Sequence, residues 1–221
     1  MSIRVRVDDF PHTSKREPQH TLETFLEFHR VLSHGIGHRK YLLGVVPGQC
    51  TVEDLLFLRQ NVDCVVGMHG TDHDEERLTR NGGNQFESYL SAGDILRTLH
   101  EHRSALEGAV GQPVKVYMPP RNVINHRTRG VLEQAGFGWY TTGPETEQWA
   151  LQPGYAIHSN KPHEYGRSDE MLAADSHVIL RQGIRDVVLT LHWTWEVNIG
   201  LQHLATFLNE IPDSCFVDFD A

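Results

Sequence analysis

Short runs of β-branched and apolar residues alternate with longer stretches of helical periodicity along the whole chain. Residues 3–7 read as a strand. Residues 24–32 read as a helix capped by Thr24, with Glu27 three places on to complete a capping box. A start at Thr21 would lack the matching carboxylate. Residues 41–46 form the next strand, closed by Pro47-Gly48, and Thr51 caps a helix to Gln60 with Asp54 at the third position. Residues 62–67 are a compact apolar strand. The polar stretch 69–89 that follows is too long for an ordinary connection, and long loops in compact domains are often functional. Ser91 opens a helix to Leu106, 114–118 is a strand ending in Pro119-Pro120, 127–135 is helical and 138–142 is a strand. Further on, 155–158 is a short strand and Ser168 caps a helix to Arg181. A strand over 186–191, a helix over 201–211 and a closing strand over 216–219 complete the pattern.

Strands alternating with helices of this length imply parallel βαβ units with right-handed crossovers. About seven such units predict an α/β fold, a distorted or incomplete (β/α) barrel, with residues 1–221 as a single domain.

In parallel α/β folds ligands sit at the carboxyl ends of the strands, so the residues directly after each strand are the candidates for chemistry. Asp8-Asp9 follow the first strand, and Met68-His69-Gly70-Thr71-Asp72-His73 the third. Pro119-Pro120-Arg121-Asn122 follow the strand at 114–118, and His192-Trp193 the strand at 186–191. On an extended backbone the side chains of Asp8 and Asp9 point to opposite faces. His69 and His73 would stand roughly 13 Å apart on extended chain, but a turn at Gly70, which accepts positive φ, brings them within reach of one cation. Two imidazoles and a carboxylate suit a catalytic Zn²⁺ with open positions for water and substrate. His192 is placed to act as a general acid, and Arg121 to clamp a carboxylate. Among the remaining histidines, His12, His100 and His102 read as ordinary surface residues. His158 and His163 lie near a further strand end.

Composition narrows the partner. The 20 Lys+Arg against 29 Asp+Glu give a net charge of −9, which argues against nucleic acid, and no Gly-rich phosphate cradle is present. Cys50, Cys64 and Cys215 lie far apart without a CxxC pair, as suits a reducing compartment. The amino terminus carries charges within its apolar run, unlike a signal peptide, and no stretch has the length of a membrane span. The expectation is a cytoplasmic protein acting on a small molecule or glycan, its oligomeric state left open. Exposed members of the set Trp139, Trp149, Trp193 and Trp195 would offer stacking faces for a sugar.

Four segments together resemble the polysaccharide deacetylases of the NodB-homology type, a family of carbohydrate esterases, in the manner of a divergent member. They are Val7-Asp8-Asp9-Phe10, His69-Gly70-Thr71-Asp72-His73, Met118-Pro119-Pro120-Arg121-Asn122 and Leu189-Thr190-Leu191-His192. In that family the Arg precedes its Pro, whereas Arg121 follows; a hydroxyl residue follows the first His, where Gly70 stands here. The resemblance implies removal of an N-acetyl group from a sugar or sugar-containing precursor. It implies Asp8 as general base, with Asp9, His69 and His73 holding a divalent metal ion such as Zn²⁺. His192 would then be the general acid, and Arg121 would orient Asp8. The residues alone also admit a metal-dependent hydrolase of another small amide or ester, and a deacetylase-like protein that binds carbohydrate without turnover.

Overall fold

The computed structural model describes residues 2–11, 19–87, 89–140, 159–160 and 186–219. The predictions at His12, 155–158, His163, the 168–181 helix and Trp149 lie outside them. Seven parallel strands form one sheet: β1 (Ser2–Phe10), β2 (Leu42–Val45), β3 (Val65–His69), β4 (Val116–Met118), β5 (Trp139–Tyr140), β6 (Ser159–Asn160) and β7 (Asp186–His192). The order β5-β4-β3-β2-β1-β7-β6 puts β1 at the centre, and no pairing among the described residues joins the edges β5 and β6. The expected incomplete barrel is therefore what the chain forms.

The helices are α1 (Leu22–Gly35), α2 (Val52–Asn61), α3 (Glu75–Arg80), α4 (Ala92–Val110), α5 (His126–Arg129), α6 (Trp193–Ile199) and α7 (Leu201–Asn209). The capping box at Thr51 and Asp54 is present as predicted, and Ser91 caps α4 through the Asp94 N–H. α4 runs on to Val110, where Gly111 closes it at φ 73°, a left-handed C-cap that glycine accepts without strain. α1 starts one turn earlier than expected, at the Thr21 cap, because the Thr24 hydroxyl accepts from the Thr21 N–H at 2.9 Å and does the work assigned to a carboxylate. Phe25, Phe28 and Leu32 recur on one face of α1 and are fully buried, each worth about 1.5–3 kcal/mol of apolar burial.

Three further expectations need correction. The polar stretch 69–89 is not all loop: Asp74 caps the short helix α3 within it. The helix expected over 127–135 is regular only to Arg129, where Gly130, a poor helix former, gives way to turns. The closing strand over 216–219 reduces to a single bridge from Phe216 to Ile3. Both edges of β1 are already taken by β2 and β7, so the tail only touches, through Val217 N–H to Ile3 O and Phe219 N–H to Lys40 O.

Register decides what reaches the site. Arg6 pairs with Leu42 on one side and Thr190 on the other, and Asp8 pairs with His192. Gly44 pairs with Gly67, and His69 with Met118. In-register neighbours share a face, so Arg6, Asp8, His69, Met118 and His192 all stand on the inner face of the curled sheet. A side chain on Gly44 or Gly67 would meet Met118, at 2.6 and 2.9 Å, so the glycines leave room for Met118 inside the barrel. The opposite face is covered by helices, with α1 against α6 and α7, and α2 against α4.

Candidate active site

Asp8 and Asp9 reach one site because the end of β1 is bulged. Its pairing with β2 slips between Val7 and Phe10, and Asp9 takes φ 66°. A bulge with a left-handed residue re-aims side chains that alternation would send to opposite faces. The turn is held by hydrogen bonds from Trp193 Nε1 to Asp9 O (3.2 Å) and from Val46 N–H to Phe10 O (2.8 Å).

Asp8 is 2% exposed and is gripped by an arginine that is 1% exposed. Arg6 donates from Nε to Asp8 Oδ1 and from Nη2 to Oδ2, both at 2.6 Å, and its Nη2 also donates to Asn122 Oδ1 at 2.9 Å. Burial pushes the Asp8 carboxyl up, but Arg6, with His69 and His192, outweighs it and holds the group below its ordinary value. Arg121, expected to orient Asp8, does not reach it. Arg121 and Asn122 both have left-handed backbones, at φ 53° and 58°, and the chain turns so that Asn122 faces Arg6. The Arg121 guanidinium goes to Glu75 and, at 3.0 Å, to Thr79 Oγ1. Arg6 occupies the position beside Asp8 that the sequence reading gave to Arg121.

Asp9 has different company. His69 Nε2 stands 2.9 Å and His73 Nε2 3.4 Å from the same oxygen, Asp9 Oδ1. That oxygen is buried and accepts no hydrogen bond. The backbone between the histidines turns at Gly70 (φ 65°) and again at His73 (φ 49°). A Cβ at Gly70 would lie 2.5 Å from both Gln85 Oε1 and Pro120 Cγ, so the close approach requires glycine. The buried Gln85 secures the turn: its Oε1 accepts from Thr71 N–H at 3.0 Å and from Tyr117 Oη at 3.3 Å, and its amide donates to the Thr71 hydroxyl.

These residues fit a divalent cation. The donor atoms of Asp9, His69 and His73 all lie within 4.8 Å of one another. Tetrahedral ligands about 2.1 Å from zinc stand roughly 3.4 Å apart, close to the spacings found here. The far nitrogens are both occupied: His69 Nδ1 hydrogen-bonds Met118 O at 3.1 Å, and His73 Nδ1 forms an ion-pair contact with Glu75 Oε1 at 3.1 Å. With a cation between them and Asp9, the rings would carry their protons on Nδ1 and direct Nε2 at the ion. Burial raises the Asp9 carboxyl, but His69 beside it, then His192 and His73, bring it far below its ordinary value. Burial lowers His69, but Asp9 and Asp8 reverse the sign and leave it raised. His73 is lowered, by burial and by His69.

His192, at the end of β7, closes the other side. Its Nε2 is 3.8 Å from Asp9 Oδ2 and 4.0 Å from Asp8 Oδ2. Of the residues expected at strand ends, Asp8, Asp9, His69, His73 and His192 come together here, Asn122 braces Arg6, and Arg121 turns away to Glu75 and Thr79. Arg6, Glu75 and Gln85 join the site without having been expected there. Of these Arg6 had a readable signal, a charged residue two places before Asp8 on the same face of an apolar strand. Among the tryptophans, Trp193 is buried, Trp139 is half-buried and Trp195 is exposed.

No known family profile matches the sequence, and no curated protein matches it. Solved structures do. A family 4 acetyl xylan esterase from Clostridium thermocellum, in complex with a cobalt ion, superposes with a TM-score of 0.62 at 13% identity, covering 99% of this chain and 87% of that one. A polysaccharide deacetylase from Bacillus cereus gives 0.56 at 14% identity, covering 99% and 92%. A family 4 carbohydrate esterase pseudoenzyme from Bacillus anthracis gives 0.55 at 12% identity, covering 93% and 60%. The chain shares the fold of family 4 carbohydrate esterases at very low identity.

Proposed function

We propose that the protein is a metal-dependent deacetylase that hydrolyses an N-acetyl group on a sugar or a sugar-containing precursor. The observation that carries this reading is the convergence, on one strand-end face, of a three-donor cation site, a carboxylate held ionised by Arg6 and a half-buried histidine. The shared fold with acetyl-removing esterases, one of them holding cobalt, supports it.

Asp9, His69 and His73 would hold the ion, with Zn²⁺ the best match to two imidazoles and one carboxylate. When bound, a divalent cation supplies Lewis acidity to the acyl carbonyl and to a water beside it. Asp8 takes the proton from the attacking water. Arg6 occupies one direction on each Asp8 oxygen and leaves further lone pairs for that proton. His192, close to both carboxylates yet still accessible, gives a proton to the departing nitrogen, which could not leave as an anion. Glycan reaches the site from the open strand ends, where the exposed Trp195 offers a face for stacking.

The test is acetate release from N-acetylated chito-oligosaccharides by zinc- or cobalt-loaded protein, with acetylated xylan run alongside. Wild type should release acetate from the chito-oligosaccharide, and Asp8→Asn and His192→Ala should lose about 10²–10⁴-fold in turnover while keeping the metal. Release from xylan alone would make the protein an O-acetyl esterase. Release from neither would reject deacetylation and favour a protein that binds carbohydrate without turnover.

A further inference from the structure

We infer that Glu75, held in place by Arg121, positions the metal ligand His73 and so sets how tightly the cation is bound. The inference rests on the metal centre proposed above. His73 faces two carboxylates with its two nitrogens: Nε2 is 3.4 Å from Asp9 Oδ1, and Nδ1 is 3.1 Å from Glu75 Oε1. An imidazole that binds a cation through Nε2 carries its proton on Nδ1. A carboxylate there fixes the tautomer, locks the ring and makes the ligand nitrogen more basic.

Glu75 is the first residue of α3, immediately after the Asp74 cap, and its side chain is 45% exposed. A glutamate so exposed would ordinarily sample several rotamers. Here its other oxygen accepts from Arg121 Nη2, and the same nitrogen reaches Thr79 Oγ1, one turn further along α3, at 3.0 Å. The left-handed backbone at Arg121 aims the guanidinium at α3 rather than at Asp8. The two ligand histidines are therefore supported unequally. His69 has a neutral acceptor, the Met118 carbonyl, fixed by the sheet, and His73 has a charged neighbour, Glu75, that Arg121 holds. Arg121 thus serves the metal side of the site, while Arg6 serves Asp8.

Zinc dissociation constants, measured by competition with a chromophoric chelator, test this without any substrate. Glu75→Ala should weaken binding about tenfold, the lower end of what outer carboxylate partners contribute, given the exposure of Glu75. Glu75→Gln, which keeps an acceptor oxygen but not the charge, should recover part of the loss, and Arg121→Ala should lose less than Glu75→Ala. Glu76→Ala removes a carboxylate from the same helical turn and should leave affinity unchanged, separating the effect from loosening of α3. Affinity of Glu75→Ala within about twofold of wild type would overturn the inference. Full restoration by Gln would do so too, because an acceptor without the charge that Arg121 holds would then suffice. If wild type takes up no zinc, it is the metal centre that fails.

Discussion

Asp8 and Asp9 are adjacent in the chain, yet the two sides of the site they build are finished in different ways. On the Asp8 side the protein supplies the countercharge itself, as a bidentate guanidinium buried with the carboxylate and braced by Asn122. On the Asp9 side it supplies two imidazoles and a buried oxygen that accepts no hydrogen bond. An ionised carboxylate out of water needs compensation, either from a paired cationic residue or from a metal. Asp8 has its cation in the sequence. Asp9 has a set of candidate ligands for one, and under the proposed function that difference divides a base from a metal ligand two atoms of chain apart.

That contrast can be broken from the Asp8 side. Arg6→Met should destabilise the fold by about 3–5 kcal/mol in denaturant unfolding, because it leaves a buried carboxylate without its partner. Arg6→Met with Asp8→Leu should recover most of the loss, and below its melting temperature Arg6→Met should still take up zinc. Loss of zinc uptake in folded Arg6→Met would show that the two sides are one unit.

Glu196 sharpens the same contrast as a further buried carboxylate, one that burial pushes up to about 8. Its folded pKa lies above the unfolded value of about 4.3, so between the two the folded state keeps a proton the unfolded state has lost. Its contribution is fully present below the unfolded pKa and falls as pH rises toward 8. Relative to Glu196→Gln, wild type should lose on the order of 2–3 kcal/mol between pH 5 and pH 7. Parallel stability curves for the two proteins would show that Glu196 is ionised in the fold, as Asp8 is.

Much of this was legible along the chain, for reasons that can be stated residue by residue. The barrel follows from alternation of strand and helix patterns, and five of the site residues follow from the rule that parallel sheets act at their carboxyl ends. Thr51 with Asp54, and Ser91, mark their helices because capping is local. What was hidden depends on backbone turns that composition does not announce. Left-handed conformations at Arg121 and Asn122 send Arg121 to Glu75, and Arg6 is the partner of Asp8 instead. The Thr24 hydroxyl did a carboxylate's work at α1. Gln85 and Glu75 reach the site only because the stretch after His69 folds back through α3.

The central claim is that Asp9, His69 and His73 hold a cation, and zinc uptake by the purified protein tests it most directly. Elemental analysis after zinc loading and desalting should give about one equivalent in wild type. Asp9→Asn and the pair His69→Ala/His73→Ala, if folded, should give none. At zinc concentrations near 100 times the dissociation constant, wild type alone should gain about 3 kcal/mol of stability. A wild type that retains no metal under any loading condition, or variants that retain as much as wild type, would contradict the account.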